Sequence, residues 1–72
     1  MTDTEKLRHR IALSGLKRSY IAKVLGISTA ALAQKITNRR EFKASEIAAL
    51  CKLLGITNAK EKEAIFFADE VA

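Results

Sequence analysis

Few residues in this sequence could do covalent or metal chemistry. There is one cysteine, Cys51, and one histidine, His9. Together they cannot supply the three or four ligands of a zinc site. Cys51 falls on the inward stripe of a helix with no histidine placed to activate it, and so reads as a small buried hydrophobe. His9, flanked by Arg8 and Arg10, reads as a surface residue. Glu61 and Glu63, two apart on a helix, point from different faces, and the sequence has no glycine-rich phosphate loop. No enzymatic activity, cofactor or metal is expected. The chemistry that remains is ionic. Residues 6–43 hold ten basic side chains (Lys6, Arg8, Arg10, Lys17, Arg18, Lys23, Lys35, Arg39, Arg40 and Lys43) against Glu41 alone, whereas residues 44–72 hold three basic and five acidic ones. A basic first half and an acidic second half imply that one face meets a polyanion and the other does not.

The elements that must position those charges are helical. With 72 residues, 49% of them hydrophobic and 29% charged, the chain supports one domain, residues 1–72, around one small core. Only 6% of residues are aromatic, so that core is expected to be mainly aliphatic. A single cysteine suits a reducing compartment. The acidic, polar start does not read as a signal peptide, and no apolar run approaches the roughly 20 residues needed to span a bilayer. A cytoplasmic location, away from membranes, is the expectation.

No segment alternates with period two, and the pattern predicts an all-α fold of five helices. Helix 1 is expected from about Asp3 to Ser14, with Thr2 and Glu5 as a capping box, Leu7 and Ile11 facing inward and Gly15 ending it. Leu16 follows as a buried tether. Helix 2 is expected from about Arg18 to Leu25, with Ile21, Ala22 and Leu25 inward. Helix 3 runs from its N-cap Ser28 to Ile36, with Leu32 and Ile36 inward, and Lys35, about 60° from the core direction, snorkels outward. A polar loop covers residues 37–43. Helix 4 spans about Ala44 to Leu54 through the stripe Ile47, Leu50, Cys51 and Leu54. Gly55 caps it, and Ile56 returns to the core. Helix 5 is expected from Asn58 or Ala59 to Asp69 or Glu70, with Asn58 and Glu61 as a weaker capping box.

Only Gly26, Ile27 and Ser28 separate helices 2 and 3, and their pairing reads as a helix-turn-helix. Ala22 is small where helix 3 crosses, Gly26 takes a positive φ, and Ile27 and Leu32 fill the angle. The stretch Arg18-Ser19-Tyr20-Ile21-Ala22-Lys23-Val24-Leu25-Gly26-Ile27-Ser28-Thr29-Ala30-Ala31-Leu32 resembles the helix-turn-helix of the phage Cro/CI repressor family. Ile36-Thr37-Asn38-Arg39-Arg40-Glu41-Phe42 and Leu53-Leu54-Gly55-Ile56 fit the same pattern, so the resemblance covers about residues 5–57. It implies a lambda-repressor-like, five-helix DNA-binding domain whose third helix enters the major groove. Within the family it resembles the small Cro-like or modulator-of-repression proteins of temperate phages of Gram-positive bacteria.

The resemblance places Thr29, Ala30 and Gln34 at base-contacting positions, and with Leu32 facing inward, Ala30 and Gln34 do point outward. Gln34 can pair with adenine in bidentate fashion, and Ala30 or Ala33 can touch a thymine methyl. Lys17, Arg18 and Ser19 at the start of helix 2, with Arg39, Arg40 and Lys43 beyond helix 3, are expected to hold phosphates. The implied role is sequence-specific transcriptional regulation in a lytic/lysogenic switch, with double-stranded DNA as partner. Three alanines on helix 3 leave Gln34 nearly alone as a reader. That departure raises a second role, an antirepressor or modulator that binds the phage CI-type repressor as a heterocomplex. In helix 5, Phe66 and Phe67 cannot both enter one small core. One is expected to fill the core and the other to be at least partly exposed, and Phe66, Phe67 and Val71 are the candidate homodimer or partner surface.

Overall fold

The computed structural model describes residues 1–70, and the Val71 assigned to a partner surface lies outside them. Among the described residues there are five α-helices and no strand: α1 (Thr4–Ser14), α2 (Arg18–Leu25), α3 (Thr29–Ile36), α4 (Ala44–Leu54) and α5 (Ala59–Phe66). A short 3-10 turn, Ala68–Glu70, follows α5. None of these helices is long and apolar enough to cross a membrane. Helices α2, α3 and α5 have only eight residues each. Isolated helices of that length are unstable in water, so tertiary contacts must hold them. The contacts are provided by α1, which packs on α3, α4 and α5, and by α2, which packs on α3 and α4. Their inward stripes, among them Leu7, Ile21, Leu32, Ile36, Leu50 and Ile65, are almost completely shielded from solvent. Leu25, expected inward, is only half-buried at the edge of this cluster, with Leu16 and Ile27. The core is not purely aliphatic: Phe66 is buried within it and meets Phe42 edge-to-face, with ring centroids 5.6 Å apart.

The helix ends show how the packing is set. Gly26 takes φ 72° at the end of α2, and the amides of Gly26 and Ile27 return to the carbonyls of Lys23 and Ala22. This is a Schellman closure, which needs the left-handed conformation. The corresponding closure on α3 uses an asparagine. Asn38 has φ 66°, its amide meets Lys35 O, and the amide of Arg39 meets Gln34 O at 2.8 Å. The Asn38 side chain is also used. Its Oδ1 accepts from the Thr2 amide and its Nδ2 donates to Thr2 O, both at 2.8 Å.

Those bonds correct the expected start of α1. Thr2 is not its cap but a buried residue ahead of the helix, and Asp3 is the N-cap, accepting from the Lys6 amide. The expected end of α5 also changes. The helix stops at Phe66 rather than at Asp69 or Glu70. The Asp3 amide donates to Ile65 O at 2.6 Å, which occupies the carbonyl that a further helical turn would use, and the backbone leaves the helix at Phe67. Asn58 caps α5 alone, through the amides of Lys60 and Glu61, while the Glu61 carboxylate faces Arg10.

Asn38 thus does two separable jobs. Asn38→Gly keeps the positive φ and loses the side-chain bonds to Thr2, with an expected cost of about 1–2 kcal/mol. Asn38→Ala loses both, and is expected to cost about 1–2 kcal/mol more. Thermal unfolding followed by circular dichroism measures the two, and equal losses would show that the left-handed backbone is not strained.

Candidate functional site

The outer face of α3 follows from its inner one. Leu32 and Ile36 are fully buried, which turns Thr29, Ala30, Ala33 and Gln34 to solvent. The helix is tied at both ends. Ser28 Oγ accepts from the Ala31 amide at 3.0 Å. At the other end each of the last four carbonyls has a partner. Ala33 O accepts from Thr37, Gln34 O from Arg39 and Arg40, Lys35 O from Asn38, and Ile36 O from the Thr4 hydroxyl at 2.6 Å. The amides of Arg39 and Arg40 therefore close the helical turn to which Gln34 belongs. The structure brings these three residues to one end of α3, with all three side chains exposed. The Asn38 lock carries this arrangement. It passed unnoticed in the sequence, although an asparagine closing a helix is a recognisable left-handed cap.

The ion pairs divide the basic residues into two groups. Lys6, Arg8 and Arg10 lie beside Asp3, Glu5 and Glu61 respectively. Arg10 also donates from Nη2 to Leu54 O at 2.8 Å, placing a cation on the carboxyl end of α4. Lys35 is the fourth paired cation. It does not snorkel: it is 2% exposed, and its Nζ donates to Glu46 Oε1 at 2.5 Å. Among the described residues Lys17, Arg18, Lys23, Arg39, Arg40 and Lys43 form no ion pair, and all six side chains are exposed. Lys52 on α4 and Lys60 and Lys62 on α5 are also exposed and outside these ion pairs, but Lys60 and Lys62 alternate with Glu61 and Glu63, whereas α2 and the loop after α3 carry six unpaired cations against Glu41 alone.

The start of α2 has a second property. Its N-cap, Lys17, offers no side-chain acceptor, whereas Asp3, Ser28 and Asn58 cap α1, α3 and α5. The first amides of α2, beside Arg18 and Ser19, remain open to an anion from solvent. Helix α4 is closed differently. Glu46 Oε1 accepts from the Lys43 amide at 2.8 Å, so its carboxylate serves as cap and as counterion to Lys35. Sequence reading missed Glu46. Its signal was an acid three residues into a helix and directly before the inward Ile47.

The remaining site residues separate. Phe66 is buried, so its ring cannot serve as the expected partner anchor. Phe67 is half-buried against the core. Cys51 is buried as expected, and burial pushes its thiol above the usual range. No protein-family profile, no curated protein and no solved structure matches the chain.

For Glu46, burial raises the carboxyl pKa. The hydrogen bonds from Lys35 and the Lys43 amide, with the charges of both lysines, outweigh it and leave the group below 4.5. A carboxylate depressed on folding contributes stability above its unfolded pKa and loses it as pH falls through the folded value. Glu46→Gln is therefore expected to destabilise the protein most above about pH 4.5. The gap from the parent protein should narrow with further acidification. Thermal melts of both proteins between pH 3 and 7 measure this, and a pH-independent gap would exclude linkage through Glu46.

Proposed function

We propose that this protein binds double-stranded DNA as a lambda-repressor-like helix-turn-helix domain of the Cro/CI type, with α3 in the major groove, and regulates transcription from the site it recognises. The carrying observation is the sorting of charge. The basic residues around α1 are matched by acids, and those at the start of α2 and beyond α3 are not, on either side in sequence of an exposed helix face bearing Thr29, Ala30 and Gln34. An all-α fold in which α2 and α3 pack together, joined by three residues, supports the same reading.

The parts have distinct roles. Lys17, Arg18 and Ser19, with the open amides of α2, hold one phosphate strand. Arg39, Arg40 and Lys43 hold the other side of the groove. These contacts give affinity and orientation without sequence information. Gln34 reads an adenine edge, while Thr29 and Ala30 add a hydroxyl and a methyl contact.

A second reading concerns partner choice. On α2, Tyr20 and Val24 are four residues apart and remain 50% and 45% exposed. Exposed apolar side chains of this kind favour a protein contact, and support a modulator that binds a CI-type repressor. Co-elution of the two proteins without DNA would support that role, and two separate peaks at micromolar concentration would count against it.

The primary test is fluorescence anisotropy with a duplex selected from a random library and with a scrambled duplex, over a salt series. Arg39→Ala and Arg40→Ala are expected to weaken binding to both duplexes, each lowering the salt slope by about one. Gln34→Ala is expected to cost about 1–3 kcal/mol on the selected duplex only. An equal loss on both duplexes would remove Gln34 as a reader.

A further inference from the structure

A buried lysine and a buried glutamate in a core this small are an unusual use of space. Their side chains are only 3% and 8% exposed. Replacing such a pair with well-packed apolar residues is often neutral or stabilising, because the desolvation of two ions offsets their attraction. Stability alone therefore does not account for the pair, whereas geometry does. A hydrophobic contact tolerates sliding and rotation, and an ammonium–carboxylate hydrogen bond does not.

Both partners lie beside residues with a role at the DNA surface. Lys35 follows Gln34 directly, so any rotation of α3 that carries Nζ away from its acceptor turns the Gln34 side chain by the same angle. Glu46 holds α4 at its first turn, and the same oxygen, Oε1, that accepts from Lys35 Nζ also accepts from the Lys43 amide. One carboxylate oxygen is thus the common anchor for the helix that carries Gln34 and for the backbone that carries Lys43. Lys35 and Glu46 are eleven positions apart, and the loop between them holds Arg39 and Arg40.

We propose that Lys35 and Glu46 are positioning residues that set sequence specificity: the buried pair fixes the rotation of α3 relative to Lys43, so that Gln34 and the phosphate-holding loop meet one duplex in a single register. This rests on the DNA-binding reading above. The pair touches no DNA. Its loss leaves the exposed cations in place, and the deficit appears in discrimination between sequences rather than in general affinity.

The test compares the full chain with the double variant Lys35→Met, Glu46→Gln. Methionine keeps the length of the lysine stem, and glutamine keeps an acceptor for the Lys43 amide. Anisotropy is read on a duplex selected by the parent protein and on a scrambled one, over a salt series, after circular dichroism confirms folding. The expected result is unchanged affinity and salt slope on scrambled DNA, within about twofold. The preference for the selected duplex should fall about tenfold, the scale of a misplaced bidentate base contact. Lys35→Arg, which retains a cation for Glu46, should keep most of the preference. An unchanged preference in the double variant overturns the proposal. Should that variant not fold, Lys35→Leu with Glu46→Gln, which keeps the acceptor for the Lys43 amide, takes its place under the same criteria. Failure of both to fold also overturns the proposal, since the pair would then be a requirement of the fold itself. A parent protein that binds neither duplex at low salt refutes the DNA-binding reading instead, and is distinguished by the absence of any signal to lose.

Discussion

An eight-residue helix has almost no stability of its own, and the exposed face of α3 depends on how that deficit is met. Three ties meet it. The inner side is packed through Leu32 and Ile36, the start is capped by Ser28, and the end is closed by Asn38 together with the hydroxyl of Thr4. Asn38 matters most because it joins levels. Its backbone ends the helix in the left-handed conformation, and its side chain pairs with Thr2, which fixes the start of the chain against the α3–α4 loop. The next amide along, that of Asp3, then sets where α5 stops. The Asn38 side chain and the adjoining Thr2–Asp3 backbone therefore link the end of α5 to the helix that carries Gln34.

The same economy governs charge. Surface ion pairs such as Lys6–Asp3 and Arg8–Glu5, both at 3.8 Å, contribute little to stability. Their effect is on the field: they cancel the positive potential around α1 and leave it standing at α2 and after α3. Arg10 is withdrawn differently, by the Leu54 carbonyl and Glu61. A net charge of +5 spread evenly would attract any polyanion weakly from all sides. Concentrated over residues 17–43, where Glu41 is the single acid, it gives the molecule a preferred approach.

Much of this was legible in the sequence because its causes are local. Gly26, Gly55 and Ser28 mark helix boundaries through their own backbone or hydroxyl preferences, and α2, α3 and α4 fall within a residue of expectation. What was not legible is non-local. The end of α5 is decided by an amide at Asp3, some sixty residues away in sequence. The burial of Lys35 is decided by a carboxylate on another helix. On a helical wheel a lysine at the edge of the apolar stripe looks free to snorkel, and only the position of Glu46 closes that route. Phe66 and Phe67 compete for one core, and Phe66 is buried while Phe67, where the backbone leaves the helix, is half-buried. The site divides in the same way. The exposure of Thr29, Ala30 and Gln34 follows from helical periodicity, while the Asn38 closure and the double use of Glu46 come from tertiary contacts.

The poverty of the α3 face has a consequence for how a protein of this kind could discriminate. With Ala30 and Ala33 exposed beside a single long polar side chain, few base edges can be read directly. A small reader set makes each reader more sensitive to placement, because no neighbouring contact compensates for an error. Under the proposed function, rigidity then substitutes for the number of contacts. The four satisfied carbonyls at the end of α3, the side chain of Asn38 and the buried Lys35–Glu46 pair all restrict the same degree of freedom, rotation and sliding of α3 against its neighbours. A helix held this firmly can use one glutamine to read sequence, whereas a loosely held one would need several more contacts to reach the same discrimination.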